Sequence, residues 1–77
     1  MTSLNADDVV IPLPDLIATI RRYRLDQDLT YEKLADTIGI SRAALSYILR
    51  GEAAPYERTH RKLTTFVLQR RLWRPSR

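Results

Sequence analysis

Residues 42–50, RAALSYILR, contain side chains whose types and spacing suit contacts with DNA bases. If the segment is a helix, Arg42, Ala43, Ser46 and Tyr47 lie on its outer side, because residues three or four apart share a face. Arginine can form paired hydrogen bonds with O6 and N7 of guanine, alanine can contact the thymine methyl group, and serine can donate or accept. A helix also fits the major groove. We therefore predict base contacts from these four residues, with Arg42 the strongest candidate.

Each of these side chains also has a plainer explanation. Arg42 and Arg50 could belong to an ordinary solvated surface. Tyr47 also suits a protein interface, because its ring is apolar and its hydroxyl is polar. Arg50 stands at the helix end, where a phosphate is a better partner than a base edge.

Two short helices joined by a tight turn would position this face. Thr30 and Ser41 are residue types that cap helix N-termini, Gly39 suits a left-handed turn, and Gly51 can end the second helix. Apolar residues recur at helical spacing and would form the shared core: Leu34, Ala35, Ile38, Ile40, Leu45 and Ile48. A helix, a turn that holds a glycine and a second helix together form the helix-turn-helix pattern.

The run LTYEKLADTIGISRAALSYILRG resembles the DNA-binding region of the Cro and phage-repressor helix-turn-helix family, the XRE-like regulators. The resemblance covers residues 16–68 and is carried by the family's spacing of Ala35, Gly39, Ile40, Leu45 and Ile48. It implies an all-α, lambda-repressor-like bundle of four to five short helices whose second motif helix is the recognition helix. The implied partner is double-stranded DNA, bound by a small transcriptional regulator.

Arg24 and Leu49 depart together from the family pattern. An arginine at the place of Arg24 often pairs in that family with a glutamate near the end of the recognition helix, where this chain has Leu49. Asp28 or Glu52 could substitute for that glutamate. Otherwise Arg24 would be solvated or would contact phosphate.

Cationic and hydroxyl side chains on both sides of the recognition helix are the candidate phosphate contacts. Tyr31 stands where the family often has a phosphate-binding glutamine, at the positive end of a helix, but it could instead pack against Leu29 or the first helix. The family's loop lysines are replaced by Glu52, Ala53 and Ala54, and later cations would compensate. The predicted phosphate contacts are Thr30, Tyr31, Arg50, Arg58, Arg61 and Lys62.

Three segments follow from the proline positions and the charge. Residues 1–14 are predicted to be a flexible arm, because Pro12 and Pro14 disfavour a helix; the arm could fold back over the core or add to a dimer interface. Residues 15–69 form the helix-turn-helix domain. Residues 70–77 form a basic tail.

The sequence also predicts where the first and last helices begin and end. The first helix, over residues 16–25, would be capped by Asp15. A short helical turn over 55–57 and a longer helix over 58–72 would follow the loop. Within the tail, Leu72 and Trp73 could cover the edge of the core or form a dimer contact.

Composition narrows the class of function. The chain has 77 residues, no cysteine and one histidine, His60, which predicts one domain with no metal site, no cofactor and no catalytic triad. No segment is long enough to span a membrane, and we expect a cytoplasmic protein that is not an enzyme. Residues 1–38 contain four Lys or Arg and seven Asp or Glu, whereas residues 39–77 contain nine and two. The basic second half favours a polyanion as partner.

Two functions remain open. The first is sequence-specific DNA binding by a homodimeric regulator, most simply a repressor, since a monomer reads only a few base pairs. The second is a protein-binding module on the same fold, such as an antitoxin or an antagonist of another regulator. In that case Tyr31, Tyr47, Leu49 and Trp73 would face a protein partner.

Overall fold

Four helices make up the part of the chain that the structure, a computed structural model, describes, residues 11–73. They are α1 (Leu13–Asp26), α2 (Tyr31–Ile38), α3 (Arg42–Leu49) and α4 (Glu57–Gln69). No strand occurs in this range. The predicted all-α fold with a helix-turn-helix is confirmed.

The first helix begins earlier than Asp15. Pro12 is the N-cap residue of α1 and makes no side-chain cap, while Pro14 lies in the first turn. A proline is tolerated there because the amide it lacks has no partner inside the helix. The prediction that Asp15 caps this helix is therefore wrong; Asp15 is an acidic residue of the first turn, where the helix dipole favours it.

A residue that precedes the N-cap of α1 belongs to the core. Ile11 is only 1% exposed and joins the central apolar cluster. The predicted arm boundary at residue 14 therefore falls within the first turn of α1. The remainder of the predicted arm, residues 1–10, lies outside the described residues.

The two helices of the motif start at the predicted caps. The Thr30 hydroxyl accepts a hydrogen bond from the Lys33 amide at 3.1 Å, and the Ser41 hydroxyl accepts one from the Ala44 amide at 3.1 Å. Gly39 ends α2 with a φ of 92°, a left-handed conformation that favours glycine. The predicted caps and turn are confirmed.

All four helices end in the same way. After each, one residue has a positive φ, and the amide of the next residue donates to a carbonyl five positions back. The left-handed residues are Asp28, Gly39, Gly51 and Arg71, with φ of 53°, 92°, 73° and 54°. The amides are those of Leu29, Ile40, Glu52 and Leu72, at 2.9 to 3.0 Å.

The helices pack around one apolar core. Both α1 and α2 contact α3 and α4. The buried apolar residues are Ile11, Leu16, Ile20, Leu34, Ala35, Ile38, Leu45, Ile48, Leu49, Leu63, Phe66 and Val67. Burial of each large aliphatic side chain stabilises the fold by about 1.5–3 kcal/mol. Together these contacts fix the orientation of α3.

The last helix begins one residue before the predicted start at 58 and ends three residues before the predicted end at 72. It begins at Glu57, after the non-helical Pro55 and Tyr56, so the short helical turn predicted over 55–57 is wrong. It ends at Gln69 because Arg71 takes the left-handed conformation.

The residues after α4 fold back onto the bundle. Leu72 and Trp73 are half-buried and pack against the core of their own chain. Of the two roles predicted for them, covering the edge of the core is the one that the structure contains.

Candidate nucleic-acid interface

The outer side of α3 carries the predicted base-contacting residues. Arg42, Ala43, Tyr47 and Arg50 are exposed, whereas Ser46 is half-buried. The opposite side of the helix enters the core and holds α3 against α1 and α2. A partner that approaches α3 therefore meets Arg42 and Ala43 at its first turn and Tyr47 one turn later.

The far end of this face holds three side chains that contact one another. The Arg50 guanidinium lies over the Tyr47 ring, with Cζ 5.2 Å from the ring centroid. Arg50 Nε is 2.8 Å from Oε2 of Glu52, which follows the left-handed Gly51. Tyr47 is 49% exposed, and the side chains of Arg50 and Glu52 are each about half exposed. The Arg50 cation is thus already partnered by an anion at this end of α3.

Arg24 contacts Leu29 and Tyr31, where the family pattern has a glutamate as its partner. It donates a hydrogen bond from its guanidinium to the Leu29 carbonyl at 3.0 Å and lies 4.5 Å from the centroid of the Tyr31 ring. The alternative in which Glu52 pairs with Arg24 is wrong, since Glu52 pairs with Arg50. Arg24 therefore ties α1 to the start of α2 without an ion pair of the family type.

The start of α2 presents a hydroxyl and an aromatic ring beside the recognition helix. Tyr31 is half-buried and packs against the core, so the packing role predicted as its alternative is present. Thr30 is exposed, and its hydroxyl oxygen is used by the Lys33 amide. The positive end of α2 is available to an anion through its remaining amides.

The cations of α4 border α2. Arg58, Arg61 and Lys62 line a groove of about 350 Å³ between α2 and α4, whose other lining residues are Thr37, Ile38, Thr65, Phe66, Gln69 and Arg70. Lys62 Nζ donates to the Gly39 carbonyl at 2.9 Å, and Arg61 pairs with Glu57 at 3.5 Å. Through Lys62, α4 thus contacts the turn between α2 and α3.

Three contacts of this surface were not predicted. The Arg50–Glu52 pair could have been read from two opposite charges on either side of a helix-ending glycine. The Arg24 hydrogen bond to Leu29 follows from the left-handed turn at Asp28, which sequence does not mark. The Lys62 contact joins residues 23 positions apart, and only the folded chain brings them together.

The described residues contain neither of two other kinds of site. Within residues 11–73, no group of three or more His, Cys, Asp or Glu side chains could hold a metal ion. No helix in that range has the length and apolar character to cross a membrane.

Comparison with known proteins adds one match. A family model described as helix-turn-helix matches residues 20–65, which is more than half of the chain. The matched residues run from the second half of α1 through α2 and α3 into α4. The searches of curated proteins and of solved structures found no match.

Proposed function

This chain belongs to the helix-turn-helix family of Cro and phage-repressor (XRE-like) type, and from that premise we propose that α3 reads a specific sequence in the major groove of DNA. DNA-binding transcription regulation is the general function of the family. The observation that carries the proposal is the exposed row of Arg42, Ala43 and Tyr47 on a helix whose other side is fixed in the core.

The proposed roles follow the position of each side chain on α3. Arg42 contacts a guanine, Ala43 contacts a thymine methyl group, and Tyr47 contacts a base or a phosphate one turn further on. Ser46 is half-buried, so it contacts a base only where α3 comes closest to the DNA.

Phosphate contacts hold the helix in register. Thr30 and Tyr31, at the positive end of α2, and Arg50, at the end of α3, are the proposed contacts nearest to the groove. Arg58, Arg61 and Lys62 on α4 form a second proposed set. Contact of this second set with the same duplex requires the DNA backbone to pass the start of α4.

We further propose that the chain acts as a homodimer and as a repressor in the cytoplasm, without a cofactor and without catalysis. Two copies would double the few base pairs that one α3 can read, and would require a near-palindromic site with half-sites about 34 Å apart. The exposed parts of Leu72 and Trp73 are the proposed dimer contact. Occlusion of a promoter is the simplest mechanism for such a small domain.

Selection of bound sequences from a random duplex pool, at near-physiological salt, tests the proposal. We expect enrichment of an inverted repeat, and its spacing would report the distance between the two copies of α3. An Arg42→Ala, Tyr47→Ala variant with unchanged helix content is the control and should enrich no sequence. Failure of the unmodified chain to enrich any sequence would contradict the proposal.

The second candidate is a protein-binding module, such as an antitoxin or an antagonist of another regulator. Two observations favour it: Tyr47 is a large exposed ring, and Glu52 neutralises Arg50 beside a loop that has no lysine. Salt separates the two candidates. DNA binding weakens steeply with added salt because counterions are released, and an apolar protein interface does not respond in this way.

A further inference from the structure

One carboxylate stands at the edge of the proposed DNA interface. Glu52 Oε2 is 2.8 Å from Arg50 Nε, the distance of a charge-assisted hydrogen bond. The backbone of Glu52 is also held at the end of α3, because its amide donates to the Tyr47 carbonyl at 2.9 Å. The left-handed Gly51 turns the chain so that this carboxylate returns toward the end of α3.

The same arginine is the proposed phosphate contact at that end of the helix. A guanidinium can bind a carboxylate or a phosphate through the same N–H groups, so the two anions compete. The Tyr47 ring, 5.2 Å from Arg50 Cζ, limits the directions in which the guanidinium can turn away. A phosphate that approaches Arg50 therefore finds the Nε–H group engaged by a carboxylate, with a negative charge beside it.

We propose that Glu52 is an internal competitor for Arg50 that lowers the affinity of the chain for every duplex, whatever its sequence. This inference rests on the proposed function, since it requires that Arg50 contact phosphate. Phosphate contacts carry no sequence information, so the competition reduces binding to unrelated DNA and to the preferred site alike. Glu52 thus sets how much of the total affinity comes from the base contacts of α3.

Glu52→Gln tests the competition, because glutamine keeps the size of the side chain and removes its charge. We expect affinity to rise about threefold to tenfold for both the preferred and an unrelated duplex, since an exposed ion pair and one added phosphate contact are each modest. The dependence of log K on log salt should steepen by about 0.9, the value for one more phosphate contact.

Asp26→Asn is the matched control. Asp26 also forms an exposed pair with an arginine, Arg22, at 3.9 Å, and its loss changes the net charge equally. Arg22 is not among the proposed DNA contacts, so this variant reports the general effect of charge. A second control is Glu52→Gln in an Arg50→Ala background, where the gain should fall to that of Asp26→Asn.

Each outcome has one meaning. A gain for Glu52→Gln that exceeds the control and depends on Arg50 supports the competition. A gain equal to the control, a gain that persists without Arg50, or weaker binding overturns it, while DNA binding itself stands. If the unmodified chain shows no salt-dependent duplex binding, the proposed function fails and this inference fails with it. Thermal unfolding of each variant shows that the fold is kept.

Discussion

Arg42 is the first residue of α3, and its exposed side chain starts where the helix is capped by Ser41. The cap fixes the direction in which α3 begins, so the arginine is held by backbone rather than by contacts of its own side chain. Base contacts require such a fixed direction, because a guanine accepts the guanidinium in one plane.

Arg42→Ala should therefore weaken binding to the preferred site by about 1–3 kcal/mol and relax the preference at one base pair. Titration of the preferred duplex and of its single-base variants measures both effects. Arg58→Ala is the control, since a phosphate contact should weaken binding to all of these duplexes equally. If Arg42→Ala also weakens them equally, Arg42 is a phosphate contact.

The side chain of Lys62 should stabilise the fold through one hydrogen bond. Its amine donates to the Gly39 carbonyl at the turn between α2 and α3. Lys62→Met keeps the length of the side chain and removes this hydrogen bond, which should lower the free energy of unfolding by about 0.5–1.5 kcal/mol. Lys33→Met, an exposed lysine of α2, should change stability less.

Chemical unfolding of both variants measures the difference. Equal stability of the two would show that the Lys62 contact contributes nothing measurable. Affinity for an unrelated duplex, measured separately, then tests Lys62 as a phosphate contact.

At the scale of single helices, local sequence decided what could be predicted. The caps of α2 and α3 were predicted because Thr30, Gly39 and Ser41 act on backbone groups within a few residues of themselves. The end of α1 was predicted to within one residue, but the end of α4 was not, because Arg71 takes a left-handed conformation that its residue type does not signal. The start of α1 was also missed, because Pro14 is accommodated in its first turn.

The left-handed residue after α4 can be tested directly. Arg71 has a φ of 54°, where a side chain costs about 1–2 kcal/mol and glycine costs less. Arg71→Gly should therefore raise the free energy of unfolding by about 0.5–1 kcal/mol, after allowance for the greater freedom of glycine in the unfolded chain.

Gly39→Ala is the reverse experiment. Nothing lies within 4 Å of an added Cβ at Gly39, so the expected loss of about 1 kcal/mol comes from backbone conformation alone. Thermal unfolding measures both variants. A destabilised Arg71→Gly would mean that the contacts of the arginine side chain outweigh its backbone strain.

At the scale of the whole molecule, the arrangement of the helices matters more than any one of them. The family resemblance predicted the helical bundle, because the spacing of the apolar residues sets the core. It could not predict which cations would meet which partners. The positions of Lys62 and Arg50 depend on contacts between chain segments, which spacing alone does not contain.

The segment after α4 should affect both folding and assembly. Truncation after Gln69 removes Leu72 and Trp73, which pack half-buried on the core, and should lower stability by about 2 kcal/mol. It should also weaken the proposed dimer. Sedimentation and thermal unfolding of the truncated chain measure the two effects. An unchanged mass with lowered stability would show that this segment covers the core without joining the dimer interface.

The packing of α3 against both α1 and α2 has a thermodynamic consequence. The core residues that hold α3 are the same ones that hold the bundle together, so the proposed DNA-reading face exists only in the folded chain. Folding and binding are then linked equilibria, and a duplex that binds only the folded form must stabilise it. At a hundred times its Kd, a duplex should add about 2.7 kcal/mol to the free energy of unfolding. The duplex that raises the melting temperature of this small domain the most, at equal concentration, is then the sequence that it prefers.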